Sequence, residues 1–170
     1  MVPLINENRV LCVAGLKRIK QGTRIGLKSL AQISRIDLKK IDSDDVSFKI
    51  VPKINAAGRI SHARICVSQL MATDIGNAER TASLLNNLNT KRQKIEQKIV
   101  LDIENRLLKN PRLLDNKLLF LWDDNWDPSV LGIAASKLSK KYYCPVILMS
   151  CLYEHAIGSG RSINDINIYK

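Results

Sequence analysis

No apolar run in the 170 residues approaches the ~20 that a membrane-spanning helix needs, so no membrane association is expected. The first residues, Met1-Val2-Pro3-Leu4-Ile5, lack the basic-then-apolar layout of a secretion signal, which predicts a cytoplasmic protein. The four cysteines, Cys12, Cys66, Cys144 and Cys151, form no close pair of the zinc or redox type and read as buried thiols in a reducing compartment. Histidine is scarcer still. His62 and His155 stand in different zones, one read as a surface residue at a helix start and the other as a loop residue. Neither has a second histidine near it, and spacing assembles no set of nucleophile, base and orienting group. There is no internal repeat, no low-complexity tract and no phosphate-binding loop of the length and lysine content that nucleotides require.

Acidic residues are also in short supply: 16 against 27 basic ones, for a net charge of +11. The surplus is localised. Residues 1–111 hold 20 basic and 10 acidic side chains, residues 112–170 hold 7 and 6, and the first forty alone hold nine against two, Glu7 and Asp37. Such a distribution suits a surface facing a polyanion. A solvated basic face is the alternative, since Ile, Lys and Asn make 49 of the 170 residues, as an AT-rich coding sequence would supply. With 45% hydrophobic residues the chain can build a core.

Three zones follow one another. Residues 6–73 read as short helices: Asn8 to Lys20 with Val10, Val13, Ala14, Leu16 and Ile19 mostly on one face and Gly22 as a stop, then Leu27 to Ile33. Another helix starts at Ser43-Asp44-Asp45 and one more carries Ala63, Cys66, Val67, Leu70 and Met71. Residues 74–110 predict one long helix, capped by Asp74 and ended before Pro111. Its stripe is Leu84, Leu88, Ile95, Ile99, Ile103 and Leu107, with one turn skipped at Lys91-Arg92. At 1.5 Å per residue it would reach roughly 50 Å, a length that suits a connector better than a short, broken coiled coil. The third zone reads β-α-β: a buried strand at Lys117 to Trp122, a helix from Pro128 to Lys141, a second strand at Pro145 to Met149. That order implies a parallel pair, and a third strand is expected around Ile157 to Ile163.

Three motifs carry possible chemistry. Pro52-Lys53-Ile54-Asn55-Ala56-Ala57-Gly58-Arg59 has small residues that could leave backbone uncovered, with Asn55 and Arg59 as polar groups for a phosphate. A helix crossing with Arg59 at the surface is the plainer reading. Gly158-Ser159-Gly160-Arg161-Ser162 places two hydroxyls and an arginine on a glycine-rich strand, a seat for a phosphate backbone unless it is a flexible hairpin tip. Trp126-Asp127-Pro128-Ser129 through Leu138 puts a loop and a helix start after a strand end. Trp126 could stack on a base or pack in the core, and Asp127 would repel a phosphate there. The clusters Asp42, Asp44, Asp45 and Asp123, Asp124, Asp127 are read as helix-start and loop acids rather than metal ligands.

These motifs, in this order around a long helix, resemble RecJ of the DHH phosphoesterase superfamily over essentially the whole chain. Met1-Val2-Pro3-Leu4 through Glu7-Asn8-Arg9 is similar to the family segment after its last catalytic metal motif, and residues 52–59 to the asparagine-arginine motif facing the active site. Asn89 to Glu96 is similar to the connector helix; residues 126–138 and 158–162 resemble two phosphate-contact motifs of the DHH-associated domain. The implied architecture is α/β. Residues 1–73 would be the C-terminal helical part of a DHH-type domain, 74–111 a long connector helix and 112–170 an incomplete, partly parallel-sheet DHH-associated domain.

The resemblance implies a 5′→3′ exonuclease on single-stranded DNA, used in DNA repair and recombination, with Mn²⁺ or Mg²⁺ as cofactor of the full-length enzyme. Arg59 and Asn55 would hold the phosphate beside the metals. Arg161, Ser159, Gly160 and Ser162 would grip the strand, with Lys137 assisting. The family's metal-holding aspartate and paired-histidine motifs and its glycine-glycine-histidine motif are missing from these residues. Asp127 stands where histidine is usual, Ser129 where glycine is usual, and Lys53 replaces an arginine, losing the fork but keeping the charge. No catalytic or metal-binding residue is therefore assigned, and no metal is expected on this chain alone. The expectation is an inactive internal fragment, monomeric, arising from a split gene, a decayed reading frame or a deliberate truncation. Rival readings are a non-catalytic nucleic-acid-binding module, a remnant completing an enzyme whose metal motifs lie on a separate chain, and a cleaver of small dinucleotides.

Overall fold

Pro52 shapes the first half of the chain. Lacking an N–H, and clashing with the carbonyl four residues back, it forbids a regular helix across Phe48. The computed structural model, which describes residues 3–152, 155–163 and 166–168, has a π-turn at Val46–Ile50, in which the Val51 N–H reaches the Val46 carbonyl. Before it lies α3 (Ser43–Asp45), capped by Asp42, whose carboxylate accepts from the Asp45 N–H at 2.8 Å. After it comes α4 (Val51–Ile60). The other helices of this half are α1 (Asn6–Lys20), α2 (Ile25–Ile33) and α5 (Arg64–Leu70). Met1 and Val2 of the segment compared with the family lie outside the described residues.

The chain divides into two compact units at Thr90–Lys91, inside α6 (Ile75–Lys109). Asp74 caps α6 as its spacing predicts, accepting from the Asn77 N–H at 2.6 Å. The core of the first unit gathers Leu30, Ile41, Ile50, Ala57, Cys66, Ala82 and Leu85. Leu85 is fully buried and Leu84 is 45% exposed, so the apolar stripe of this end of α6 runs through Ala78, Ala82 and Leu85 rather than Leu84. Helix α1 has no fully buried residue: Leu16 and Ile19 are half-buried, Ile19 against the core, while Val10 and Val13, expected on an inward face, are exposed, and so is Cys12. Of the four thiols only Cys66 is buried, Cys144 and Cys151 being half-buried; none is paired.

In the second unit a 3₁₀ turn at Pro111–Leu114 leads to β1 (Leu119–Trp122), α7 (Pro128–Tyr142), β2 (Val146–Leu152) and β3 (His155–Arg161). The strand order is β1-β2-β3. β1 and β2 are parallel, Leu119 opposite Val146, as a β-α-β unit requires. β3 returns antiparallel, with Val146 opposite Arg161 and Leu148 opposite Ser159, so the sheet is mixed. His155, read as a loop residue, opens this strand and is exposed. Val130, Leu131, Ala134, Ala135 and Leu138 of α7 meet Leu119, Leu121, Val146 and Leu148 of the sheet and Ile99, Ile103 and Leu107 of α6 in one core. Among the described residues no helix is long and apolar enough to cross a membrane.

Candidate nucleic-acid interface

Strand pairing puts Ser159 and Arg161 on the same sheet face as Leu148 and Val146, the face that α7 covers. Their side chains therefore meet the first turns of α7. A Cβ on Gly132 would lie 2.8 Å from the Ser159 hydroxyl and 3.0 Å from Arg161 Nη2, closer than side-chain carbons approach such atoms. Glycine is thus the residue that lets the guanidinium lie against the helix. Arg161 Nη1 donates to the Gly160 carbonyl at 2.6 Å and to the Ser159 hydroxyl at 3.3 Å, which fixes the fork while leaving the residue exposed. Ser162 is engaged differently: its hydroxyl donates to the Ile166 carbonyl at 2.6 Å. Gly158 to Arg161 of this motif lie in a paired strand, not a hairpin tip.

Asp127 does not leave a bare charge at this place. It is the N-cap of α7, accepting from the Ser129 N–H at 3.0 Å and from the Ser129 hydroxyl at 2.6 Å. Trp126 is 5% exposed and serves the core: its indole N–H donates to Asp102 at 3.0 Å, and Arg106 lies 5.0 Å from its ring. Arg106 also bonds the Asp123 carboxylate and the Trp122 carbonyl. The Asn125 N–H and then Arg106 hold the Asp123 carboxyl below its ordinary range, against the opposite push of burial. Burial works against the charge of Arg106, and its two carboxylate partners more than offset that, so its pKa stands above the ordinary value. Lys137 points elsewhere from Arg161; its ammonium pairs with Glu96 at 3.6 Å and stays exposed.

In the first unit, Asn55, Gly58 and Arg59 share one exposed face of α4, three and four residues apart. Ala56 and Ala57, expected to leave backbone uncovered, are instead wholly buried. Lys53 keeps its amine but not an outward charge: it is 8% exposed, its Nζ donates to the Lys49 carbonyl at 2.9 Å, and burial lowers its pKa. The π-turn brings that carbonyl within reach of the side chain.

Among the described residues no three of His, Cys, Asp and Glu come together to hold a metal ion, and Asp123 and Asp127 are committed to Arg106, Asn125 and Ser129. Gly132 is the site residue that spacing alone did not single out, although a glycine inside a helix, about 1 kcal/mol worse than alanine, signals a close approach. Arg106 carried no such signal, since a basic residue in the last turn of a helix is ordinary.

No protein-family model matches the sequence. The chain is 36% identical over 173 residues to the single-stranded-DNA-specific exonuclease RecJ of Bacillus subtilis, covering 100% of this chain and 22% of that protein. It is 33% identical over 172 residues to RecJ of Escherichia coli, covering 99% of this chain and 30% of the relative. The crystal structure of RecJ from Thermus thermophilus in complex with Mn²⁺ superposes with a TM-score of 0.82 at 30% identity, over 97% of this chain and 24% of that one. A structure of exonuclease RecJ bound to manganese gives 0.76 at 30% identity, over 98% of this chain and 40% of that one. The chain thus spans less than a third of the length of these two curated relatives.

Proposed function

The chain is RecJ-like along its whole length, and we propose that it forms the strand-gripping part of a 5′→3′ single-stranded-DNA exonuclease whose metal-dependent hydrolysis is carried by residues these 170 do not supply. In this reading residues 1–73 are the helical end of a DHH-type domain, 74–111 the connector helix and 112–170 part of the DHH-associated domain. Arg161 carries the proposal. A guanidinium seated against Gly132 and held by Ser159 and the Gly160 carbonyl keeps donors for a phosphate oxygen and loses little freedom on binding one. Asn55 and Arg59 add a second contact on α4. Mn²⁺ or Mg²⁺ belongs to the full-length enzyme, as in the RecJ crystal structures solved with each. A monomer in the cytoplasm, serving repair and recombination, goes with this role.

Fluorescence-anisotropy titration of a labelled single strand at several salt concentrations, with gel analysis in Mn²⁺, tests the proposal. Binding should weaken steeply with salt, and Arg161→Ala or Arg59→Ala should each weaken it further, without cleavage. Failure to bind even at low salt would overturn the grip. Metal-dependent digestion lost on mutating Asp123 or Asp127 would overturn the assignment of hydrolysis to other residues.

A further inference from the structure

Gly22 ends α1 in a left-handed conformation, φ 66°, with its N–H on the Ile19 carbonyl, and so turns the chain sharply into α2. The turn folds Arg18, on the last turn of α1, onto the start of α2. Arg18, Gly22, Thr23, Arg24 and Lys28 line a cavity of about 340 Å³ that has no carboxylate in its wall. Among the described residues none of these three cations enters an ion pair. Arg18 by itself has an ordinary explanation, because a cation complements the carbonyl end of a helix. Arg24 and Lys28 have none of that kind. They flank the amino end of α2, where the helix carries partial positive charge, no acidic residue occupies the first turn and no side chain caps it. Two cations at the positive pole of a helix, with a third folded onto them, repel one another unless an anion lies between them.

We propose that this cavity is a phosphate-binding site that takes a backbone phosphate of the single strand, separate from the Arg161 seat. It rests on the DNA-binding reading above. Lys17 and Lys20, on the same last turn of α1, extend the positive surface beyond the cavity. A chain of phosphates engages such an extension and a lone phosphate ion does not, so the strand is the favoured source. The side chains concerned are exposed, so neutralising them leaves the core of the unit untouched.

The test is salt-dependent anisotropy of a labelled oligothymidylate with the full chain and with the triple variant Arg18→Gln, Arg24→Gln, Lys28→Gln, each checked for an unchanged melting transition. Losing the one phosphate contact should flatten the plot of log affinity against log salt by about 0.7. Amide NMR shifts of Gly22 and Thr23 should move on adding the oligonucleotide to the unmodified chain. An unchanged slope in the folded variant, while Arg161→Ala still weakens binding, overturns this site and leaves the Arg161 seat standing. Shifts at Gly22 and Thr23 with inorganic phosphate but not with the oligonucleotide overturn the strand as the source. No binding of the oligonucleotide by the unmodified chain overturns both readings together.

Discussion

Arg161 rests against Gly132: a Cβ at that helix position would stand 3.0 Å from Nη2 of the guanidinium and 2.8 Å from the Ser159 hydroxyl. Both atoms belong to side chains that can move, so Gly132→Ala should fold. Alanine even gains about 1 kcal/mol of helix propensity. The guanidinium and hydroxyl would be displaced from their seat. Single-strand affinity is expected to fall by about tenfold, the value of one charge-assisted hydrogen bond, while the melting temperature holds or rises. Anisotropy and thermal unfolding on the same preparation check both halves.

Asp123 provides a pH-dependent contribution to the second unit. Its carboxyl titrates below the ordinary 3.8 because the Asn125 N–H and Arg106 favour the charged form. A depressed acid stabilises the fold fully above its unfolded value, and that stabilisation is lost as pH falls through the folded value. Asp123→Asn should therefore cost about 1–2 kcal/mol at neutral pH, solvent screening included, and the gap to wild type should close below about pH 4. Urea unfolding between neutral pH and pH 3 measures it. A gap that persists undiminished in acid would contradict the role given to the charge.

Lys53 also titrates low, but because burial penalises its charge rather than because partners favour it. Burial lowers its pKa from the ordinary 10.5, so in the window below that value the unfolded chain binds more protons than the folded one. Stability then rises with pH through the folded value and levels off above 10.5. Wild type should gain on Lys53→Met as pH climbs toward that value, in urea unfolding of the two proteins side by side. Parallel curves would show that the amine is hydrated after all.

Adjacent leucines on α6 differ sharply. Leu85 is fully buried and Leu84 is 45% exposed. Leu85→Ala is expected to cost about 2–5 kcal/mol and Leu84→Ala within about 0.5 kcal/mol, read from chemical denaturation.

The sequence by itself determined the elements whose signals are local. Asp74 and Pro111 bound the long helix because a cap and a missing N–H act within one turn. The β-α-β order set the parallel pairing of β1 and β2, since a crossover helix of that length leaves the second strand running the same way. The alternation of Gly158, Ser159, Gly160 and Arg161 turned Ser159 and Arg161 to one face of the strand, as a period of two dictates. Tertiary structure decided what depends on partners distant in sequence. Periodicity put Leu84 in the apolar stripe of the long helix, and packing into the core with Leu30, Ile41 and Ile50 put Leu85 there instead. Lys53 reads as a surface cation until the π-turn forced by Pro52 offers it a carbonyl. Trp126 became core rather than stacking platform because Asp102 and Arg106, about a score of residues earlier, satisfy its N–H and cover its ring. Gly132 and Arg161 lie on different elements, and their contact exists only because antiparallel pairing of β3 carries the arginine back over the start of α7.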